Sequence, residues 1–234
     1  MPYSAVFILF GSACLYIAAK SLLLWVALLL LNIGISFFGV GIAYGYAGPR
    51  IFMKRTNGTF PLASYAIFWP YFLVNYLSLH IYNILSSEQQ YDEILSGLYL
   101  GRKPSWFDKK RIERLDIRCV LDLTAEFEEV EFFRCKKIYS LIPLLDTSAP
   151  TFEQLKEGVN FISKNIKSGP IYVHCALGHG RSTTFIAAYL LESSYKKNIH
   201  EVLSFIQKIR PKIGLTKSQL TVLGQYEKHV NSRK

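Results

Sequence analysis

The sequence predicts an α/β domain with a mostly parallel central sheet flanked by helices, carried behind an N-terminal helical membrane region. Three observations predict it. Charge divides the 234 residues unevenly: residues 1–87 hold only Lys20, Arg50, Lys54 and Arg55, and all 17 acidic residues lie at Glu88 or beyond. After Glu88, short apolar runs bounded by Gly and Pro alternate with helical periodicity, the pattern of parallel strands with crossover helices. The third is local: Pro170-Ile171-Tyr172-Val173 runs through His174 and Cys175 into a glycine-bearing loop, and an apolar helix opens at Arg181.

The first half is read as a membrane region over residues 1–87. About 20 residues at ~1.5 Å each cross the hydrocarbon core. Spans are therefore predicted over about 3–19 and 21–47, as a helical hairpin turning near Lys20. A cleaved secretory leader fits less well, because no basic segment precedes the first apolar run and another span follows it directly.

Residues 60–85 are apolar but rich in aromatics, with Ser64, Tyr71, Asn75, Ser78 and Tyr82 on one helical face. Two readings follow: a third span, or a helix lying in the membrane interface. The interfacial reading is preferred. Arg50, Lys54 and Arg55 follow the second span, and such charge is retained in the cytoplasm. A nucleophilic thiol is also more easily kept reduced there, so the soluble half, 88–234, is expected to be cytoplasmic.

Within that half, Gly97–Gly101, Cys119–Thr124, Lys137–Pro143 and Ile171–Val173 read as strands, the third ending at a proline that cannot donate to a ladder. Thr151 caps a helix from about Phe152 to Lys167, and Glu153 stands in its first turn. Further helices are expected over Arg181–Ser193, Ile199–Ile209 and Lys217–Val230. Cys14 and Cys119 read as small buried residues and Cys135 as exposed. None forms a Cys-x-x-Cys pair, so neither zinc nor a redox dithiol is indicated.

The candidate site is His174-Cys175-Ala176-Leu177-Gly178-His179-Gly180-Arg181-Ser182. A loop between strand and helix aims backbone N–H groups at one point, where the helix dipole also favours negative charge. A cysteine at the base of that loop is stabilised as a thiolate, and an arginine at its rim grips a phosphate with two parallel hydrogen bonds. With His before the Cys, Gly178 and Gly180 inside the loop and Ser182 after the Arg, the segment resembles the signature of the protein tyrosine phosphatase superfamily. The likeness is to its dual-specificity branch and extends over roughly residues 90–232. Asp92–Leu95, Leu98–Gly101 and Arg210-Pro211 also look like parts of those domains.

The resemblance implies a cysteine-phosphatase fold and a mechanism through a phosphocysteine, without metal or cofactor. Cys175 would be the nucleophile. Ala176, Leu177, Gly178, His179, Gly180 and Arg181 would form the phosphate-binding loop, and Ser182 would hydrogen-bond the thiolate. His174 would orient the loop rather than act as a base. Asp146, after the strand ending at Pro143, matches the family's general acid and could later serve as base. Asp122, inside a strand, reads as structural. Gln219 lies where some relatives position the attacking water. His179 reads as a solvated side chain at the rim.

Phosphoproteins are the first substrate class this implies, phosphorylated on tyrosine, serine or threonine. The alternatives are a phospholipid, either a phosphoinositide or phosphatidylglycerophosphate, and a non-catalytic phosphate-binding anchor. The loop lacks the lysines with which phosphoinositide-cleaving relatives meet extra phosphates. A net charge of +10 invites a nucleic-acid partner, but clusters such as Lys109-Lys110-Arg111 and Lys196-Lys197 are dispersed. A surface facing anionic headgroups explains them as well.

Overall fold

The computed structural model describes residues 2–135 and 137–233. It divides into two compact units, Met1–Ser87 with Ala125–Glu128, and Glu88–Thr124 with Glu129–Lys234.

The first unit is built on helices α1 (Pro2–Lys20), α2 (Leu24–Ile42) and α3 (Leu62–Leu85), each long and apolar enough to cross a membrane. The chain turns between α1 and α2 at Ser21–Leu23. Small residues let the two helices touch backbone to backbone: a Cβ on Gly11 would lie 2.5 Å from the Phe38 nitrogen, and one on Gly41 2.8 Å from that of Ile8. Past α2 the helix loosens through a π turn at Ala43–Ala47 and tightens into a 3₁₀ turn at Gly48–Phe52.

α3 contains Pro70, which has no N–H to offer the Ala66 carbonyl one turn earlier. The Asn32 side chain donates to that carbonyl at 3.0 Å instead. The polar stripe expected to face a membrane surface turns partly inward. Ser64 is buried and donates to the Phe52 carbonyl at 2.7 Å, and Tyr71 is buried with its ring stacked on Phe52.

The second unit holds a five-stranded sheet in the order β1-β2-β5-β3-β4. Its strands are β1 (Tyr91–Leu95), β2 (Leu98–Arg102), β3 (Cys119–Thr124), β4 (Ile138–Leu144) and β5 (Ile171–Cys175). β1 and β2 form an antiparallel hairpin whose turn uses Gly97 at φ +76°; the other pairings are parallel. Pro143 does not end its strand as expected. β4 is the sheet edge, where a residue without a donor is tolerated, and pairing continues to Leu144 opposite Thr124.

Side chains alternate across the sheet with the period of two that a strand imposes. Cys119, Leu121, Ile171, Val173 and Cys175 face the larger core, shared with helices α6 (Phe152–Asn165), α7 (Arg181–Glu192), α8 (Ile199–Ile209) and α9 (Lys217–Asn231). Val120 and Tyr172 face a smaller core with Ile112 of α4 (Lys109–Glu113) and Phe133 of α5 (Glu131–Arg134). α6 begins with Thr151 and Gln154 in a reciprocal capping box. It crosses α7 closely, because a Cβ on Gly158 would stand 2.2 Å from the Phe185 ring. α7 is thus sealed behind β5, and its N-terminus points out at the strand ends.

Candidate active site

β5 delivers His174 and Cys175 to opposite faces of the sheet, and the following five residues turn the chain into α7. Gly178 makes that turn with φ +75°, and a Cβ there would meet the Gly101 carbonyl at 2.6 Å. Only glycine fits both demands.

The carbonyls of the loop are individually bonded. Ala176 accepts from the Lys103 amide at 3.0 Å, His179 from the Gly214 amide at 3.2 Å, and Gly180 from the Thr184 amide at 2.9 Å. Leu177 and Gly178 accept from the Arg210 guanidinium at 2.9 and 3.0 Å. The Gly178 amide donates to Cys175 Sγ at 3.3 Å, and Ser182 Oγ lies 3.3 Å from the same sulfur. The result is a concave nest of partial positive charge at a helix N-terminus, with sulfur at its base.

Arg181 is buried at the first turn of α7. It donates to the Leu144 carbonyl at 2.8 Å and to Asp146 at 2.9 Å. Asp146 follows β4 and its side chain is 58% exposed. The next residue, Thr147, has φ +60°, so the loop doubles back sharply. Gln219 holds that loop: its amide donates to the Ser148 carbonyl at 2.8 Å, while its oxygen accepts from the Thr216 amide at 3.0 Å. A Cβ on Gly180 would touch the same Gln219 oxygen at 3.0 Å. Cys175, Ser182, Arg181, Asp146 and Gln219, scattered over 74 positions of sequence, therefore meet around one loop.

Two groups of partners were not visible in the sequence. Arg210, fully buried, binds Asp92 at 2.6 Å and Glu88 at 3.0 Å besides the two loop carbonyls. The His174 ring lies on the far face of the sheet, with Nε2 2.6 Å from Glu129, whose carboxylate meets Lys103 Nζ at 3.2 Å. Burial alone would raise the Glu129 carboxyl, but the charges of Lys103 and His174 outweigh it and hold the group below the ordinary carboxylate range. Nothing local signals these contacts; only the register Gly101↔His174 and the path of the chain after β3 bring them together.

Asp122, Glu129 and His174 form a buried set that could hold a metal ion by proximity. Its donor atoms already serve other partners. Asp122 accepts from Tyr139 at 2.7 Å and from Thr124 at 2.7 and 2.8 Å, and Glu129 faces an ammonium. The set fits a proton-bearing network better than a cation. His179 corrects an expectation: it is not a solvated rim residue but sits against Glu88 at 2.8 Å, 20% exposed. Burial lowers its imidazole below the usual value against the opposing pull of Glu88.

Residues 98–229 match the family described as dual specificity phosphatase, catalytic domain. Phosphatidylglycerophosphate phosphatase PTPMT2 of Arabidopsis thaliana is 29% identical over 168 residues, 69% of this chain and 72% of its own length. Phosphatidylglycerophosphatase and protein-tyrosine phosphatase 1 of Homo sapiens is 39% identical over 88 residues, 37% of this chain and 43% of that protein, so the match spans less than half of the human relative. A crystal structure of PTPMT1 in complex with PI(5)P superposes with a TM-score of 0.55 at 28% identity, covering 62% of this chain and 99% of that one.

Proposed function

The chain belongs to the dual specificity phosphatase family and is a cysteine-based phosphatase, and from that premise we propose that its substrate is a phospholipid bearing a terminal phosphate monoester, of the phosphatidylglycerophosphate type. The carrying observation is the loop Ala176–Gly180, which has no charged side chain except the partnered His179 and relies on Arg181 for fixed positive charge. It suits one phosphate dianion. The missing lysines count against a polyphosphorylated inositol headgroup but not against a headgroup with one terminal phosphate. The named activities of the similar proteins support the same choice. The expectation of a phosphoprotein substrate accordingly gives way to the lipid reading.

In the proposed mechanism Cys175 Sγ attacks phosphorus while the P–O bond to the leaving alkoxide breaks, and Asp146 supplies the alkoxide with a proton. Arg181 and the inward amides follow the charge on the non-bridging oxygens into the transition state. Water then attacks the phosphocysteine, positioned by Gln219, and Asp146 takes its proton. The S–P bond breaks, phosphate leaves, and Ser182 stabilises the returning thiolate. His174 stays off the reaction path, on the opposite face.

Residues 1–87 form the membrane region in this proposal and 88–234 the catalytic domain. The basic Arg50, Lys54 and Arg55 and the need for a reduced thiol support a cytoplasmic catalytic domain with α3 in the interface. The burial of Ser64 and Tyr71 favours a second reading, in which α3 crosses and the domain lies on the opposite side. Labelling of the exposed Cys135 by a membrane-impermeant thiol reagent in sealed, sided vesicles distinguishes them.

The substrate test compares purified full-length protein on phosphatidylglycerophosphate in vesicles and on phosphotyrosine and phosphothreonine peptides. A kcat/KM at least about tenfold higher for the lipid is expected, equivalent to ~1.4 kcal/mol of differential transition-state binding. Preference for the peptides would overturn the proposal.

A further inference from the structure

The 3₁₀ turn Trp106–Asp108 carries the most exposed large apolar side chain of the catalytic unit: Phe107 is 92% exposed, beside Trp106 at 57%. The turn is held rigidly. Asp108 accepts from the Ser105 amide at 2.8 Å and its hydroxyl at 2.6 Å, closing a capping box. The Trp106 ring leans edge-on against Phe132 at 6.2 Å, which leaves its outer part in solvent. Asp108 is thereby tied up as a cap, and another acidic group nearby, Glu113, stands 3.9 Å from Lys109 Nζ in an exposed pair worth little in water.

Three cations follow immediately. Lys109 Nζ lies 4.9 Å over the Trp106 ring, and Lys110 and Arg111 are exposed on the next turn. An aromatic tip with an indole and a phenyl ring beside a cationic row is the composition that enters a bilayer interface. The rings bury among headgroups and acyl chains while the cations meet anionic phosphates.

Only Ser86–Gln90 separate the end of α3 from β1, a reach of about 20 Å at full extension. The Gln90 side chain clasps the end of β2, accepting from Arg102 Nε at 2.7 Å and donating to the Arg102 carbonyl at 3.3 Å. Trp106 begins four residues later. Arg102 also pairs in register with Cys175. Gln90 and the phosphate loop therefore share one end of the sheet, and the aromatic turn begins four residues beyond that end.

We infer that Trp106 and Phe107, with Lys109, Lys110 and Arg111, form a docking surface for an anionic lipid bilayer that turns the mouth of the phosphate loop toward the headgroups. Charge complementarity and the short tether select a lipid surface over an acidic protein or a second copy. The docking itself stands apart from the substrate assignment; its effect on turnover rests on the lipid reading.

The test uses full-length protein with Trp25→Phe and Trp69→Phe, which leaves Trp106 as the sole tryptophan. It is reconstituted in nanodiscs of phosphatidylcholine, with or without phosphatidylglycerol, whose acyl chains are brominated near the headgroup. Trp106 emission should be quenched about tenfold more effectively in anionic discs, and K109E/K110E/R111E should erase that difference. Phe107→Ser should lower hydrolysis of bilayer-borne phosphatidylglycerophosphate about tenfold and leave p-nitrophenyl phosphate turnover unchanged. Three results would overturn the inference: Trp106 open to aqueous acrylamide in both disc types, quenching indifferent to headgroup charge, or equal losses on both substrates in the Phe107 variant. Quenching as expected without any lipid hydrolysis would uphold the docking surface and remove only the substrate assignment.

Discussion

Arg181 and Arg210 both attend the same loop from positions closed to water, yet their partners differ in kind. Arg210 is surrounded by fixed oxygens: two loop carbonyls, the Gln89 carbonyl, Asp92 and Glu88. Arg181 donates to the Leu144 carbonyl and to Asp146, a carboxylate that is largely in solvent. A guanidinium saturated by the protein holds structure. One facing a carboxylate on a solvent-exposed loop can exchange that partner for a phosphate.

Lysine in place of each arginine gives the sharpest test of that difference, since it keeps charge but loses the planar fork. Arg181→Lys is expected to cut kcat/KM by roughly 10³-fold or more while the thermal midpoint moves little, because the lost bonds form mainly in the transition state. Arg210→Lys should do the reverse in emphasis. Leaving Asp92 and Glu88 poorly compensated costs about 3 kcal/mol in denaturant titrations, and activity falls only as far as the loop loosens. An unchanged stability for that variant would break the comparison.

Asp146→Asn tests the exposed partner. About 10²-fold should be lost from kcat on alkyl phosphates, which need a proton on leaving. p-Nitrophenyl phosphate, whose leaving group departs unaided, should lose much less. Equal losses on the two would remove Asp146 from the role of acid.

The smallest effect concerns the far face. Glu129 is held below its ordinary range, so the stabilisation it gives is present above about pH 4.3, the usual glutamate value, and is lost as acidity carries the protein down through the folded value. Glu129→Gln should cost about 1–2 kcal/mol at neutral pH. It should also flatten the decline of stability below about pH 4, measured by chemical denaturation across pH.

Much of this was legible in the sequence because it is local. The run from Ile171 to Ser182 encodes strand, loop and helix in order, and Thr151 with Gln154 marks a helix start by capping chemistry. Asp146 is singled out by the family resemblance, which places an aspartate after the strand that precedes the catalytic loop. Arg210 was seen only as a family likeness, because its work depends on carbonyls 32 and 33 residues away in sequence. Glu129 and Lys103 were missed because a buried ionic chain leaves no periodicity. His179 was misjudged for the same reason: a polar residue in a glycine loop reads as solvated until Glu88 is known to stand against it.

The proline in α3 has a further consequence. Its open carbonyl at Ala66 is answered by Asn32 of the neighbouring helix, so these two helices are indexed to one another. Sliding either by a turn would leave a bare acceptor among apolar side chains, and the bundle is thereby keyed to a single alignment, like a bolt with one notch.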